Sequence, residues 1–550
     1  MRSVRAALPR TFRSLVVSTD DHSSRWANPD VLPVPHDQIT YDWKAYFGYW
    51  VAVGANTTVW ALGSSNLANG LDAGAAIGGI FVGGVLAGLV ALFCGEPGVR
   101  YHLGFPMMSR ATFGMYGSYF VIMLKCFVNF IFFGVQSYWG GLAATVVLSA
   151  IFPSYYNMPN TLPEDAGIAT KQLVGFIIYI VVFTLLMFIH PSKLQPLIYL
   201  SQYGINLTIL GVFIWALAAN GGASLLPPSK TISSSERSFR ILQAMSSVAG
   251  AWTGASIRQS DWTRFSKTRS APTVHQLITG PVALVICATM GIAATSAVAQ
   301  MYGEPIWNPI ALLETVQDRD YSSTTRAGTV FAGLGFFISQ VTINLIQNSV
   351  SCGMDLASMA PKYIDVTRGS LIMCLVGYLI QPWRFVNQAG MFISVLNSFG
   401  MFVAPLAGIN VVDFWIVRRM NWKVPDFFKN GGEDNIYWFC CGLNWRAFAS
   451  WSLTVWASFP GFIAAMTGRD FGEGWTKTFQ VTWIVGFMGA GLVYYLICLI
   501  SPPPGKPYVA EYLDHITEVA IEGRELSRSA GDGKLEGKTS LDDARIESGK

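Results

Sequence analysis

Long apolar runs separated by short polar segments dominate the hydropathy pattern of the chain. Runs near the ~20 residues that cross a bilayer as an α-helix recur along its whole length. They are unbroken rather than alternating, so they predict helices and not barrel strands. We predict twelve spans, at 48–68, 74–94, 117–151, 173–190, 197–218, 240–257, 275–299, 327–352, 369–383, 388–416, 448–467 and 479–500. The pattern therefore predicts an all-α polytopic membrane protein.

The composition agrees with this pattern and excludes other classes of protein. Of 550 residues, 52% are hydrophobic and 13% charged, whereas soluble globular proteins carry about 25% charged residues. A soluble enzyme and a disordered chain are therefore not expected. The net charge of +4 and the lack of a Lys/Arg run argue against a nucleic-acid partner. The sequence shows no nucleophile–base constellation and no metal motif, so we do not expect an enzyme.

Basic residues in the loops predict the orientation. With the N-terminus inside, the cytoplasmic loops carry the larger share of Lys and Arg, as the positive-inside rule requires. An even number of spans then places both termini in the cytosol. We predict a cytosolic N-terminal tail at 1–47, a transporter domain at 48–500, and a largely disordered cytosolic C-terminal tail at 501–550, rich in Ser, Gly, Asp and Glu.

Two spans carry glycine-rich interruptions. They are GANTT at 54–58 in the first span and GAWTG at 250–254 in the sixth. These spans correspond if repeat one covers 48–218 and repeat two 240–416, with two extra helices at 448–500. Transporters often bind substrate where such paired helices are broken. Small residues also allow membrane helices to pack closely, and the composition does not separate the two explanations.

Uncharged amides and aromatic residues occupy the middle of two other spans. Phe132 and Gln136 are four residues apart in the third span and share a helical face. The eighth span carries Asn344 and Asn348. An amide offers a donor and an acceptor, which suits a neutral planar ligand with N–H and C=O edges. The alternative is a hydrogen bond between helices, worth about 1 kcal/mol.

Ionisable residues within spans are rare and are candidates for function. Lys125 lies in the third span, two turns before Phe132, and Arg258 and Asp261 lie where the sixth span ends. Lys125 either extends along the helix to the interface or belongs to a gate near the inner mouth. No carboxylate lies clearly at mid-membrane, so the sequence identifies no proton carrier.

Several motifs together resemble one known family. They are NPDVLPVP at 28–35, GFPxxSRxxFGxxG at 104–117, QSDWTRF at 259–265, PKYID at 361–365 and GLNWR at 442–446. Their order and spacing over about 28–500 resemble the nucleobase-cation-symport-1 transporters, in the fungal branch that handles uracil, allantoin, uridine and thiamine-type substrates. The resemblance implies a LeuT-like five-plus-five inverted repeat with two further C-terminal helices.

The resemblance also implies a site between the first, third, sixth and eighth spans. The positions it assigns to the substrate are Phe132, Gln136, Trp252, Asn348, Asn56 and Thr57. Phe132 and Trp252 would sandwich the ring, and Gln136 and Asn348 would bond its edge. The positions it assigns to the coupling cation are Gly54, Thr57, Ser339 and Thr342. We assign gating to Lys125 and Asp261.

The expected function is import of a planar nucleobase-like substrate, uracil or allantoin, by proton symport and without a cofactor. Sodium coupling, a thiamine or uridine permease, and a non-transporting nutrient sensor remain alternatives. Phe132 and Arg258 stand where many relatives have Trp and Asn, which leaves the substrate open. We expect a plasma-membrane protein whose partners are its substrate, the bilayer and ubiquitin-dependent trafficking machinery acting on its tails.

Overall fold

The structure is a computed structural model. It describes residue 26 and residues 32–35, 38–188, 195–222, 225, 233–360, 363–429, 432 and 434–505, without the side chains of 195–199. Most of the two predicted tails, 1–47 and 501–550, therefore lies outside the described residues. Within the described ranges the regular structure is helical apart from two isolated bridges.

Seventeen α-helices of at least eight residues lie in the described ranges. They are α1 Trp43–Gly54, α2 Thr57–Ala68, α3 Ala73–Tyr101, α4 Phe105–Phe113, α5 Gly117–Ile151, α6 Thr170–Leu186, α7 Gln195–Ala219, α8 Ser234–Ser256, α9 Gly280–Tyr302, α10 Pro309–Arg319, α11 Ser323–Ile343, α12 Val350–Met359, α13 Val366–Leu379, α14 Ala389–Val411, α15 Trp445–Thr467, α16 Glu473–Gln480 and α17 Ala490–Ile500. Four π-helical segments interrupt or extend them, at His275–Thr279, Asn344–Ser349, Val412–Val417 and Val485–Gly489.

Eight helical stretches of the described chain are long and apolar enough to cross a membrane. They are Ala73–Tyr101, Gly117–Ile151, Glu164–Leu186, Leu200–Ala219, Ser270–Tyr302, Ser323–Met359, Ala389–Val417 and Thr482–Ile500. Each overlaps one predicted span. The other four predicted spans are too short or too polar to meet this description. In the first span α1 and α2 have 12 residues each, and α13 in the ninth has 14. In the sixth span α8 begins with a polar turn, and α15 in the eleventh is rich in Trp and Ser. The count of twelve stays a prediction.

The first span is interrupted, whereas the sixth, for which the sequence left a break and close helix packing open, is a continuous helix through this segment. α1 ends at Gly54 and α2 begins at Thr57, so the chain is broken inside GANTT. In contrast, α8 is helical through Gly250 and ends only at Ser256. A Cβ atom on Gly250 would lie 2.8 Å from the backbone nitrogen of Gly400 in α14. Gly250 therefore allows close helix packing, the alternative that the sequence had left open.

Helix packing creates the space for a site. α8 packs along both α3 and α14, while α5 packs along α6 and α11. Gly83 of α3 shows how closely α3 and α8 approach, since a Cβ atom there would lie 2.7 Å from the carbonyl oxygen of Met245 in α8. The break between α1 and α2, the middle of α5, the end of α8 and the π-helix Asn344–Ser349 meet around one cavity.

Candidate functional site

The cavity encloses about 620 Å³ of space between atoms, counting its open side. Five of the six predicted substrate positions line it, namely Asn56, Phe132, Gln136, Trp252 and Asn348. The sixth, Thr57, does not, and its neighbour Thr58 lines the cavity instead.

Asn56 maintains the break between α1 and α2. Its side-chain oxygen accepts a hydrogen bond from the backbone nitrogen of Val59 at 3.1 Å, which caps the start of α2. Its side-chain nitrogen donates to the carbonyl oxygen of Val53 at 2.7 Å, within the last turn of α1. The carboxamide thus bonds both broken ends, so its contribution to the site is to fix the shape of the cavity.

Two aromatic rings form walls of the cavity, and each is supported from behind. The ring of Phe132 lies 4.6 Å from that of Phe399, between ring centroids. The ring of Trp252 lies 5.9 Å from that of Trp50, at an interplanar angle of 31°. Rings held in this way keep a fixed face toward a ligand and lose little freedom when a flat ligand stacks on them.

Amides on α5 have hydrogen-bonding groups without partners. Gln136 and Asn129 lie two turns apart on the same helix. The side-chain oxygen of Gln136 and the side-chain nitrogen of Asn129 are buried and unbonded among the described residues. Both residues line the cavity. Buried polar groups are nearly always hydrogen-bonded in folded proteins, so this acceptor and this donor are available to the polar edge of a ligand.

The two asparagines of the eighth span differ in their roles. Asn344 donates to the hydroxyls of Tyr179 at 3.0 Å and Ser137 at 3.1 Å, so it holds helices together. Asn348 donates to the side-chain oxygen of Asn344 at 2.7 Å and lines the cavity. Both belong to the π-helix Asn344–Ser349, and such π-segments are frequent at functional sites.

The four predicted cation positions have different surroundings. Gly54 packs tightly, since a Cβ atom there would lie 2.6 Å from Cβ of Ala283. The hydroxyl of Thr342 donates to the carbonyl oxygen of Ile338 at 2.9 Å, and Ser339 is buried. The hydroxyl of Thr57 is buried and lacks a hydrogen-bond partner in the described chain. The hydroxyl of Thr57 is therefore available to a ligand.

Lys125 is buried, at 1% exposure, so the alternative in which it extends to the membrane interface is wrong. Its ammonium forms an ion pair with Asp355 and lies 4.8 Å above the ring of Phe105. The other predicted gating residue, Asp261, accepts a hydrogen bond from the backbone nitrogen of Phe105 at 2.7 Å. The two gating candidates thus meet at Phe105 rather than contacting each other.

A second cavity of about 350 Å³ lies beyond this ion pair. Asp261, Asp355 and Arg264 line it, with residues at the start of α4. Lys125 lies one helical turn from Asn129, and Asp355 one turn from Ser351, so the pair lies next to the end of the first cavity. Arg258 also bonds Ser351 there.

Sequence reasoning missed two residues of this arrangement and the placement of a third. Asp355 was not among the candidate residues, and its pairing with Lys125, 230 positions away, has no local signal. Asn129 could have been predicted as a lining residue, because it precedes Phe132 by three residues on the same helix and therefore shares its face. Arg258 was identified as a residue at the end of the sixth span, but its place in the cavity wall was not predicted. The described residues include no group of three or more His, Cys, Asp or Glu that could hold a metal ion.

Comparisons with known proteins now bear on this site. A family model described as "Permease for cytosine/purines, uracil, thiamine, allantoin" matches residues 33–486. "Transporter aclS" of Aspergillus oryzae is 29% identical over 543 residues, covering 88% of each chain. "Thiamine transporter THI72" of Saccharomyces cerevisiae is 30% identical, covering 86% of this chain and 79% of its own length. "Allantoin permease" of the same yeast is 27% identical, covering 87% and 76%.

Two solved structures show the fold. The inward-facing conformation of Mhp1 has a TM-score of 0.69 and 17% identity, covering 91% of this chain and 99% of its own. Mhp1, a nucleobase-cation-symport-1 transporter, in a closed conformation with bromovinylhydantoin has a TM-score of 0.66 and 18% identity, covering 90% and 99%. The predicted all-α, LeuT-like transporter fold is confirmed, whereas the five-plus-five repeat stays a prediction.

Proposed function

The chain belongs to the family of permeases for cytosine/purines, uracil, thiamine and allantoin, and from this premise we propose that it imports a small planar nucleobase-like substrate by proton symport. Uracil and allantoin are the proposed substrates. The observation that carries the proposal is the cavity, where aromatic walls face amide groups that lack partners. The proposed location is the plasma membrane, with both termini in the cytosol.

In the proposed complex, Phe132 and Trp252 hold the faces of the ring, and Gln136 and Asn348 bond its edge. The unbonded oxygen of Gln136 would accept a ring N–H, and the unbonded nitrogen of Asn129 would donate to a ring carbonyl. Asn56 acts indirectly, since both ends of its carboxamide already bond the backbone.

Coupling is proposed at the break between α1 and α2. Gly54 and Thr57 lie at the broken ends, and Ser339 and Thr342 lie on α11, which contacts α2. The buried, unbonded hydroxyl of Thr57 supports a role in binding a proton-carrying water or a cation. A transporter requires only that ion and substrate together stabilise the conformation that opens to the other side.

The inner gate is proposed at the Lys125–Asp355 ion pair. Arg258, which bonds Ser351, lines the first cavity, and Asp355 of the ion pair lines the second, so the proposed path of the substrate from one cavity to the other displaces both contacts. Asp261 lines the second cavity and is the proposed partner of Lys125 in the open state. Exchange of buried charge partners is a common basis for two-state switching.

The test is uptake of labelled uracil, allantoin, uridine and thiamine by cells that lack their own carriers. Uptake of uracil or allantoin that rises with external acidity and stops with a protonophore supports the proposal. Gln136→Ala and Asn348→Ala should abolish this uptake while surface expression, measured by a tag, persists. If none of the four compounds is taken up, uracil and allantoin are refuted as substrates, and binding without uptake would indicate a sensor.

A thiamine permease is the second candidate. "Thiamine transporter THI72" is among the relatives at 30% identity, and the aromatic walls of the cavity could also hold a cationic ring. Uptake of thiamine in preference to uracil and allantoin would establish this candidate.

A further inference from the structure

One wall of the substrate cavity carries a buried positive charge. Arg258 follows α8 by two residues and lines the cavity together with Trp252 and Ala255. Its side chain is 3% exposed. A guanidinium stays protonated in proteins, so this charge is permanent in the cavity wall.

Arg258 forms no ion pair with a carboxylate among the described residues. One terminal nitrogen donates to the hydroxyl of Ser351, the other donates to the carbonyl oxygen of Gln347 at 2.5 Å, and Nε has no partner. The salt bridges of the described chain do not include Arg258, and the nearby Asp355 is bonded to Lys125.

The cavity lining offers no negative charge either. Its described members are apolar residues, amides, Thr58 and Arg258, without an Asp or Glu. Burial of an unpaired charge is unfavourable, and the unfavourable term is removed when a ligand brings the opposite charge. The same fixed charge repels a cationic ligand, which opposes the attraction that the rings of Trp252 and Phe132 would exert on it.

We propose that the substrate is a planar heterocycle that carries a negative charge, and that Arg258 binds its anionic edge. The charge is either a carboxylate on the ring or a deprotonated ring imide, and a guanidinium recognises both as planar oxygen-bearing edges. This inference rests on the proposed function, because it specifies the substrate of the same cavity. It revises the neutral ligand that the sequence pattern favours.

The test compares ligands that differ in charge on the purified full-length protein. The probes are uracil, its carboxylated analogue orotate, the oxopurine monoanion urate, and the cation thiamine, each titrated in a thermal-shift assay. We expect orotate or urate to half-saturate at a concentration about tenfold or more below that of uracil, and thiamine to bind more weakly than uracil. Tighter binding of orotate would indicate recognition of a ring carboxylate, and tighter binding of urate would indicate recognition of a deprotonated imide.

Variants locate the effect at Arg258. Arg258→Gln should weaken the preferred anion about tenfold or more and uracil less than about threefold. Arg258→Lys should retain part of the preference for the anion over uracil, because the positive charge is kept. Arg237→Gln, at a half-exposed position outside the cavity, removes the same charge from the chain and should change neither ligand.

The outcomes distinguish this inference from the proposed function. If uracil binds and is transported but neither anion binds more tightly, the inference is overturned and the proposed function stands. A preference for thiamine also overturns it. If no heterocycle binds or moves, the proposed function itself fails. The ligand order in the unmutated protein decides the question even if Arg258→Gln does not fold.

Discussion

Gln136 connects substrate binding to stability in a way that one substitution can expose. Its side chain is 6% exposed and lines the cavity, and its side-chain oxygen has no partner in the described chain. A residue selected for ligand binding is often unfavourable for the empty protein. We therefore predict that Gln136→Met, which keeps the shape and removes the amide, stabilises the empty protein and weakens substrate binding.

The magnitude follows from the unbonded oxygen. A buried polar group without a partner costs about 1–3 kcal/mol, and a ligand N–H that bonds it recovers that free energy. Because 1.4 kcal/mol is tenfold in affinity, Gln136→Met should raise the dissociation constant about 5- to 140-fold. The empty variant should melt at a higher temperature than the unmutated protein, because the unfavourable buried acceptor is gone.

Two measurements on purified protein test this reasoning, namely the melting temperature without ligand and the ligand concentration that half-saturates the thermal shift. Gln276→Met is the matched control, since Gln276 also has a buried, unbonded side-chain nitrogen but lies outside both cavities. It should raise the melting temperature and leave ligand binding unchanged. The reasoning is refuted if Gln136→Met binds the ligand with unchanged affinity. It is also refuted if the variant loses affinity but melts at a lower temperature than the unmutated protein.

Three further substitutions test other parts of the arrangement. Asn56→Ala should lower stability by about 1–2 kcal/mol, seen as a lower melting temperature, because the cap of α2 is lost; an unchanged value would contradict the capping role. Gly250→Val should reduce the yield of folded protein, since its side chain would enter the backbone of α14, whereas Gly254→Ala, with 4.0 Å to the nearest side chain, should fold normally. Lys125→Ala should destabilise by about 3–5 kcal/mol, and adding Asp355→Ala should recover much of this without restoring uptake. Restored uptake would argue against the gate.

Local sequence periodicity predicted much of the architecture, and the family resemblance supplied five of the seventeen residues that line the cavity. The third span was predicted at 117–151, the bounds of α5, because its apolar run is continuous. Phe132 and Gln136 line the cavity as expected, because residues four apart on a helix share a face. The π-helix around Asn348 was not predicted, because its backbone geometry depends on the helices that surround it.

Charged pairs were the part that sequence could not predict. Asp355 and Lys125 are distant in sequence, and each alone is compatible with a solvated helix end. Their burial is set by how α5 packs on α12, which no local pattern records. Arg258 is a similar case, since its position at the end of a span suggested contact with the cytosol, and the structure places it in the cavity wall.

The two glycine-rich segments explain why a sequence pattern alone cannot locate a broken helix. At 54–58 an asparagine follows the first glycine by two residues and bonds both broken ends, so the extended backbone at Asn56 is stabilised. At 250–254 the chain offers no such cap, and the small side chain of Gly250 instead admits α14 to within close contact. Glycine permits both outcomes. The deciding feature is the side chain that bonds both broken ends, which the first segment has in Asn56.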